Sequence, residues 1–226
     1  MNHVLDNPIF NALNTGNAHI AQGSSNAKYY VRDVAFFAGL KDNTGHEFQE
    51  LRELLPEKSV AVLFTPAGIN VPSGWNLMVE KKLLQMTYET QRTPAIEGAP
   101  LVSLDYPDLD KIQSLISLTN PGPFMDRTLE FGNYEGIFDG ENLVAMAGQR
   151  MKPGNYTEIS AVCTHPDYCG RGYAARLITS QVRKITAEGR KPFLHVLPDN
   201  IPACKLYGKL GFQIRRELLV TVVERA

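Results

Sequence analysis

Residues 165–175 decide the fold, and they read His-Pro-Asp-Tyr-Cys-Gly-Arg-Gly-Tyr-Ala-Ala. They join residues 156–164, which are typical of a strand, to residues 172–188, where apolar side chains recur at helical spacing. Glycines at a strand-to-helix turn let the backbone approach an anion closely, and the N–H groups of the first helical turn then bind phosphate. The stretch predicts a phosphate-binding turn. Glycines that serve only local geometry would give the same pattern.

Two common phosphate-binding motifs fit this turn poorly. A Walker-type loop requires a following Gly-Lys-Ser or Gly-Lys-Thr, which this sequence does not contain. Gly170-x-Gly172-x-x-Ala175 formally matches the fingerprint of a Rossmann dinucleotide site, but residues 165–169 separate it from its strand. Asp199 also lies too far along the chain to serve as the ribose-binding acid. A dinucleotide-binding dehydrogenase is therefore the weaker alternative.

The turn resembles the pyrophosphate-binding loop of the GNAT acetyltransferase superfamily, whose pattern is Gln/Arg-x-x-Gly-x-Gly/Ala. The pattern runs here from Cys169 through Gly172 to Ala174, so that Cys169 replaces the expected Gln or Arg. The stretch is also similar to the subgroup that includes the C-terminal domain of glycine N-acyltransferase. Residues 200–212, Asn-Ile-Pro-Ala-Cys-Lys-Leu-Tyr-Gly-Lys-Leu-Gly-Phe, resemble the second GNAT signature, Asn-x-x-Ala-x-x-Leu-Tyr-x-x-Leu-Gly-Phe. The resemblance covers about residues 101–223.

The element order predicted after residue 101 agrees with this resemblance. The pattern indicates β-α-β-β-β-α-β-α-β, with helices beginning near Asp108, Gly172 and Asn200 and with Gly189 ending the second helix. We expect an α/β (α+β) fold with a GNAT-like mixed, mostly antiparallel central sheet flanked by helices. The polar, Pro- and Gly-containing residues 92–100 are the best candidate for a linker.

The sequence predicts two domains, 1–97 and 98–226. Residues 98–226 would form the GNAT acetyltransferase domain. Residues 1–97 give weaker signals, with a helix near Glu47–Leu55, a strand near Val60–Phe64 and a strand or a pair of strands near Leu77–Tyr88. We expect an N-terminal α/β domain there, which could be a degenerate second GNAT-like copy that shapes the acceptor site.

The resemblance implies that acetyl-CoA is the acyl donor and lies where strand 156–164 diverges from strand 193–197. Backbone groups of Val162, Cys163 and Thr164 would pair with the pantetheine arm and stabilise negative charge on the thioester carbonyl. The expected cofactor-binding residues are Val162, Cys163, Thr164, Cys169, Gly170, Arg171, Gly172, Tyr173, Ala174, Ala175, Asn200 and Ala203.

Two catalytic residues follow from the same resemblance. Tyr207 would protonate the departing thiolate or position its sulfur, although a core tyrosine would show the same pattern. Glu158 is the candidate base, because an amine near pKa 10 must lose a proton before it attacks. Strand alternation would place Glu158, Ser160, Val162 and Thr164 on one face. A solvated strand glutamate is the alternative reading of Glu158.

Other candidate residues have a structural explanation as well as a functional one. Cys169 could form a covalent acyl intermediate, but the resemblance favours direct transfer. His195, in an apolar strand, is typical of a satisfied core histidine, and His165 is typical of a loop. Residues 121–126 and 130–134 occupy the place where relatives build the acceptor wall, and Asp126, Glu130 and Glu135 would suit a cationic amine or simply be exposed.

The composition narrows the class of protein. The chain has 226 residues, 43% apolar and 21% charged, with a formal net charge of −1, so no bulk basic field favours nucleic acid or anionic membrane. Three cysteines without a CxxC pair indicate neither a disulfide framework nor a metal site. With no signal-like start or membrane-length apolar run, we expect a cytoplasmic protein.

We therefore expect an N-acetyltransferase whose acceptor is a small-molecule or peptide amine. A homodimer is the assembly that we consider. The acceptor could be an amino acid, a polyamine, a protein terminus or an antibiotic-like amine. The alternative function is a non-catalytic acyl-CoA-binding regulatory module, since the Gln or Arg anchor is replaced by Cys169.

Overall fold

The structure is a computed structural model that describes residues 3–90, 98 and 101–226. The α-helices are α1 (Pro8–Leu13), α2 (Gly45–Leu54), α3 (Leu109–Thr119), α4 (Tyr173–Ala187) and α5 (Ile201–Lys209). The strands are β1 (Ala21–Gly23), β2 (Ala27–Tyr30), β3 (Ala38–Leu40), β4 (Val60–Thr65), β5 (Trp75–Tyr88), β6 (Val102–Ser103), β7 (Glu135–Asp139), β8 (Asn142–Gln149), β9 (Tyr156–Thr164), β10 (Lys191–Val196) and β11 (Phe212–Arg225). From residue 101 onward the element order is the predicted one. Within the described residues, no helix is long and apolar enough to cross a bilayer.

A large sheet of eight strands forms the centre of the molecule, in the order β4-β11-β5-β10-β9-β8-β7-β6. Its neighbouring strands are antiparallel except for the parallel pair β9–β10. This arrangement confirms the predicted mixed, mostly antiparallel sheet. It excludes the dinucleotide-binding alternative, because a Rossmann site requires a mostly parallel sheet.

Helices cover both faces of this sheet because each carries one apolar stripe. Helix α4 buries Leu177, Ile178, Val182 and Ile185, and the cluster around Ile178 includes Ile159 of β9 and Leu194 of β10. Helix α3 buries Ile112 and Leu115 in a different cluster, which contains Met146, Cys163 and Phe193. The two clusters separate the core into an α4/α5 side and an α3 side.

The N-terminal residues build a small sheet and also enter the large one. Strands β1, β2 and β3 form a separate three-stranded antiparallel sheet. Strand β5 lies between β10 and β11, and β4 pairs with the other edge of β11. The division between residues 97 and 98 stays a prediction, but the large sheet crosses it. The predicted linker, residues 92–100, lies outside the described residues apart from Gly98.

The helix ends follow the local sequence with one exception. Gly189 adopts φ +71° directly after the C-cap of α4, as expected of a helix-ending glycine. Asp108 was expected to cap α3, but its side chain makes no capping bond there. Its carboxylate instead accepts the N–H of Asp105 at 3.2 Å, because a 3-10 turn at Tyr106–Asp108 precedes the helix.

Candidate active site

The parallel pair β9–β10 separates after three residue pairs. Tyr156, Thr157 and Glu158 pair with Lys191, Pro192 and Phe193. Beyond that point β10 stays paired with β5, and the second half of β9 stays paired with β8. The two strands therefore enclose an open cleft between residues 159–164 and 194–196, as the resemblance predicted.

A β-bulge in β9 sets the direction of the side chains in this cleft. Ala161 has φ +52°, and the register against β8 shifts between Met146 and Gly148. Because the bulge adds one residue, side-chain alternation reverses across it. Val162 packs with Ile159 on the α4/α5 side. The prediction that Glu158, Ser160, Val162 and Thr164 share one face is therefore wrong.

A cavity of about 650 Å³ occupies the cleft and passes to the α3 side of the sheet. One part of its wall comes from the β9–β10 cleft and α5. The other part comes from N-terminal residues and β11. Its lining residues are Ala35, Phe36, Phe37, Val60, Val62, Phe64, Leu83, Thr119, Asn120, Pro121, Pro123, Arg150, Glu158, Ile159, Ser160, Ala161, Val162, Cys163, Thr164, His195, Val196, Leu197, Asn200, Tyr207, Val220 and Val222.

The glycine turn leads into α4 as the sequence predicts. Gly170 and Gly172 have φ +79° and +78°, and Gly172 is the N-cap of α4. A Cβ atom at either glycine would meet no heavy atom within 4 Å, so the backbone faces open space. No acidic residue lies in the first turn of α4. The N–H groups of Tyr173, Ala174 and Ala175 belong to that turn, which is an arrangement that suits an anion.

Aromatic contacts hold the turn in place. The Tyr168 hydroxyl donates to Asp139 at 2.6 Å, and its ring stacks on Tyr173. The Arg171 guanidinium lies 4.5 Å from the centre of the Tyr168 ring. The Cys169 side chain is exposed, with its sulfur 3.6 Å from the His165 carbonyl oxygen. His165 itself accepts the Asp167 N–H at 3.2 Å, so it caps the local turn.

Helix α5 brings Asn200 and Tyr207 to the cavity. The Asn200 side chain accepts the Ala203 N–H at 3.2 Å, which confirms it as the cap of α5. Burial raises the pKa of Tyr207 to about 12, so its hydroxyl stays protonated at neutral pH. Ala203 packs against the cluster that contains Tyr207 and does not line the cavity.

Glu158 lies at the floor of the cavity, where both oxygens of its carboxylate already have hydrogen-bond partners. Arg150 donates to both carboxylate oxygens, at 2.8 and 2.6 Å, and His195 Nδ1 lies 2.7 Å from Oε1. Burial raises the pKa of Glu158, but the positive charge of Arg150 and the hydrogen bonds from Arg150 and His195 outweigh it and lower the pKa to about 2. A carboxylate held this way accepts a proton poorly. The geometry therefore argues against the predicted role of Glu158 as the direct base.

His195 is a satisfied core histidine, as its apolar strand suggested. Arg215 donates to the Gln85 side-chain oxygen at 2.6 Å, so the Gln85 amide nitrogen faces His195 Nε2 at 3.0 Å. That nitrogen donates, which assigns the His195 proton to Nδ1 and directs it to Glu158. The ring is then held in orientation from both sides.

The acids considered for a cationic acceptor lie elsewhere. Asp126 accepts from Gln113, and Glu130 forms an ion pair with Arg127 at 2.6 Å. Glu135 is buried beside Lys184 at 3.1 Å. None of the three lines the cavity. From the predicted acceptor wall, Pro121 and Pro123 do line it.

Sequence reasoning missed the aromatic part of the cavity. Phe36, Phe37 and Phe64 come from the N-terminal residues, and the Arg150 guanidinium lies 4.6 Å from the centre of the Phe37 ring. The strand Val60–Phe64 was visible as an apolar run, but nothing in that run indicates which strand it pairs with. The preference of arginine for the face of an aromatic ring is the signal that could have linked Arg150 to these phenylalanines.

Comparisons with known proteins agree with this architecture. The sequence model of the FR47-like protein family matches residues 134–220. A crystal structure described as a putative acetyltransferase from the GNAT family, from Novosphingobium aromaticivorans, is 32% identical, with 100% of both chains covered and a TM-score of 0.92. A GCN5-related N-acetyltransferase from Kribbella flavida shares the fold at 15% identity, covering 96% of this chain and 95% of that one, with a TM-score of 0.62.

A shorter match comes from a mycothiol acetyltransferase of Corynebacterium aurimucosum. It is 38% identical over 63 residues, which are 27% of this chain and 21% of that protein, so the match spans about a fifth of the relative. The fold and the divergent strand pair define an acyltransferase enzyme. The chain belongs to the GNAT family of N-acetyltransferases.

Proposed function

We propose that this chain transfers an acetyl group from acetyl-CoA to a primary amine by direct attack within a ternary complex. The observation that carries the proposal is one continuous cavity lined both by the cleft edge of β9 and by the aromatic residues of the N-terminal part. Donor and acceptor bound from opposite sides would meet at residues 161–164. Bringing the two reactants together in this way supplies much of the rate acceleration in a bimolecular transfer.

The donor site would be built around the start of α4. The amides of Gly170, Gly172 and residues 173–175 are proposed to hold the diphosphate, because that backbone is open and the helix end is positive. Arg171 adds a positive charge, while Cys169, Asn200 and Ala203 are proposed neighbours of the donor. Acetyl-CoA supplies an acyl group activated as a thioester.

The chain's own groups would then serve the transfer. N–H groups along Val162, Cys163 and Thr164 stabilise negative charge that develops on the carbonyl oxygen. A C–N bond forms, the C–S bond breaks, and the Tyr207 hydroxyl gives its proton to the departing sulfur. The proton that the amine nitrogen loses passes to solvent, and a proton from solvent restores the Tyr207 hydroxyl. The raised pKa of Tyr207 keeps that proton available at neutral pH. Glu158 would act indirectly, by fixing Arg150 and His195.

Direct attack predicts a particular steady-state pattern. When acetyl-CoA and an amine are varied together, double-reciprocal rate plots should intersect, because both reactants must be bound before transfer. Cys169→Ser should leave kcat at saturating acetyl-CoA essentially unchanged and alter at most the KM for acetyl-CoA, since this exposed thiol is proposed to lie beside the donor and takes no part in direct transfer. Parallel plots, together with loss of activity in Cys169→Ser, would instead support a covalent acyl intermediate.

Tyr207→Phe should lower kcat by about 10²-fold and change KM little, because a proton donor acts mainly in the transition state. Tyr88→Phe is the matched control. Tyr88 also packs on the Phe212 ring, and burial also raises its pKa, but it does not line the cavity. Equal kcat values for the two variants would remove Tyr207 from the mechanism.

The N-terminal residues are proposed to complete the acceptor side of the cavity. Val60, Val62 and Phe64 of β4 line it, and Leu83 of β5 lies beside them. A cytoplasmic setting is proposed as well, and Cys163, Cys169 and Cys204 support it because all three are free thiols.

A further inference from the structure

The acceptor side of the cavity has an apolar wall. We call the space beside this wall the acceptor chamber. Its wall is formed by Phe36, Phe37, Val62, Phe64, Leu83 and Val220. The Phe37 and Phe64 rings pack edge to face with centroids 5.5 Å apart, and Phe64 packs on His195 at 4.9 Å. Such a wall gains free energy by burying an aromatic or branched aliphatic group.

The one acid among the described residues that line the cavity is already paired. Among the described residues that line the cavity, the titratable ones are Arg150, Glu158, Cys163, His195 and Tyr207. Glu158 is paired with Arg150, and the two ring nitrogens of His195 face Glu158 and Gln85. Burial raises the pKa of Cys163 to about 11 and that of Tyr207 to about 12, so both stay neutral.

An ammonium group would therefore find no unpaired acid among these described lining residues. Burying a charge without a partner is costly, and the charged form of a basic group then gives way to the neutral form. Both Glu158 oxygens already accept from Arg150, and one also faces His195. An amine that enters uncharged needs no strong enzyme base. This agrees with the Glu158 carboxylate, whose oxygens are already occupied by Arg150 and His195.

Resting on the function proposed above, we propose that the acceptor is a small, uncharged primary amine attached to an aromatic or branched apolar group. The Phe36, Phe37 and Phe64 wall would hold that group, and Arg150 would close the polar end. A polyamine would leave its second charge unpaired in the chamber. An amino acid would add a carboxylate beside a guanidinium that Glu158 already neutralises.

Three amines of related size test this substrate class. Benzylamine carries the apolar ring, 1,5-diaminopentane carries a second charge, and phenylalanine adds a carboxylate to an aromatic amine. With release of the coenzyme thiol as the readout, kcat/KM for benzylamine should exceed that of each of the others by about tenfold or more. A preference for the diamine or for phenylalanine would overturn the inference while leaving the proposed function intact. Binding of acetyl-CoA with transfer to none of them would count against the proposed function itself.

The pH profile gives a second readout. Because only the neutral amine enters, kcat/KM for benzylamine should rise about tenfold per pH unit until the pKa of the amine itself is reached. A ring-substituted benzylamine of lower pKa should reach its plateau at a correspondingly lower pH. An inflection at the same pH for both amines would indicate an enzyme base and overturn this part of the inference.

A charge placed in the wall should change the preference. Val62 lies in β4 and lines the cavity; it pairs with Val222 of β11, which pairs in turn with Val79 of β5. Val62→Glu should lower the ratio of kcat/KM for benzylamine over diaminopentane by about tenfold, because the new carboxylate pairs with the second ammonium. Val79→Glu is the control, since Val79 is exposed and lies outside the cavity.

Stabilisation by acetyl-CoA in thermal unfolding would show that both glutamate variants are folded. An unchanged ratio in a folded Val62→Glu variant would overturn the assignment of the chamber. If that variant does not fold, the amine panel and the pH profile of the unaltered enzyme still decide the question.

Discussion

Replacing Glu158 with glutamine should lower the free energy of unfolding at pH 7 by about 3 kcal/mol. The substitution keeps the size of the side chain but leaves the Arg150 guanidinium, which is 21% exposed, beside a neutral group. For a chain of this length, 1 kcal/mol corresponds to about 2–4 °C, so the melting temperature should fall by about 6–12 °C. Thermal unfolding followed by circular dichroism measures the change.

The pH dependence of this difference has a definite sign. The folded-state pKa of Glu158, about 2, lies below its ordinary value of 4.5. The stabilisation is therefore fully present above about pH 4.5 and is lost as the pH falls towards 2. Near pH 2 the protonated glutamate resembles glutamine, so the two proteins should unfold alike. A difference that stayed constant from pH 7 to pH 2 would contradict the depressed pKa.

A double variant separates the loss of the pair from the loss of the carboxylate. Arg150→Met with Glu158→Leu removes both charges, and replacing a buried pair by apolar side chains is often neutral for stability. This variant should therefore be more stable than Glu158→Gln. If it were less stable, the ion pair itself would be the source of the stabilisation.

The single variant Glu158→Gln also tests the catalytic role of Glu158. Glu158→Gln should reduce kcat/KM without changing the shape of its pH profile, because the carboxylate only positions Arg150 and His195. A loss of about 10²–10⁴-fold in kcat together with loss of one limb of the profile would restore Glu158 as the base.

Replacing Gly172 with leucine should weaken the binding of acetyl-CoA by at least about a hundredfold. The glycine is the N-cap of α4, and its open side is where the diphosphate is proposed to lie. A hydrogen bond to a charged group contributes about 1.5–3 kcal/mol, so the loss of two corresponds to at least this factor. Isothermal titration calorimetry measures the affinity directly.

Gly189→Leu is the matched control for this experiment. Gly189 follows the other end of α4 at φ +71°, against +78° for Gly172, and a Cβ at either position meets no heavy atom within 4 Å. Each leucine should therefore cost about 1–2 kcal/mol of folding free energy from the left-handed backbone. Only Gly172→Leu should lose affinity for acetyl-CoA. Equal affinity in the two variants would remove the diphosphate from the start of α4.

Much of the region after residue 101 was predictable because its signals are local. Gly172 and Gly189 mark the two ends of α4, and Asn200 caps α5 by accepting a hydrogen bond from the N–H of Ala203 three residues later. Each of these signals acts within one helical turn, so the sequence alone determines it. The same locality made the glycine turn recognisable, and with it the family.

The partners of distant strands were decided only by the tertiary structure. Strand β5 lies between β10 and β11, although more than a hundred residues separate it from them in the chain. An apolar strand gains its stability from cross-strand contacts, and its own sequence does not specify which strand provides them. The aromatic wall of Phe36, Phe37 and Phe64 was invisible for the same reason.

The chemical state of Glu158 also depended on tertiary contacts. A strand glutamate is equally compatible with solvent, with a base and with an ion pair, and the bulge at Ala161 changes which of its neighbours share its face. Arg150, directly after β8, and His195 of β10 both reach its carboxylate. The sequence thus determined the family and the position of the glycine turn, because both depend on short-range capping and backbone geometry. The folded chain alone decided the acceptor chamber and the charge at its floor, because both depend on distances between residues remote in sequence.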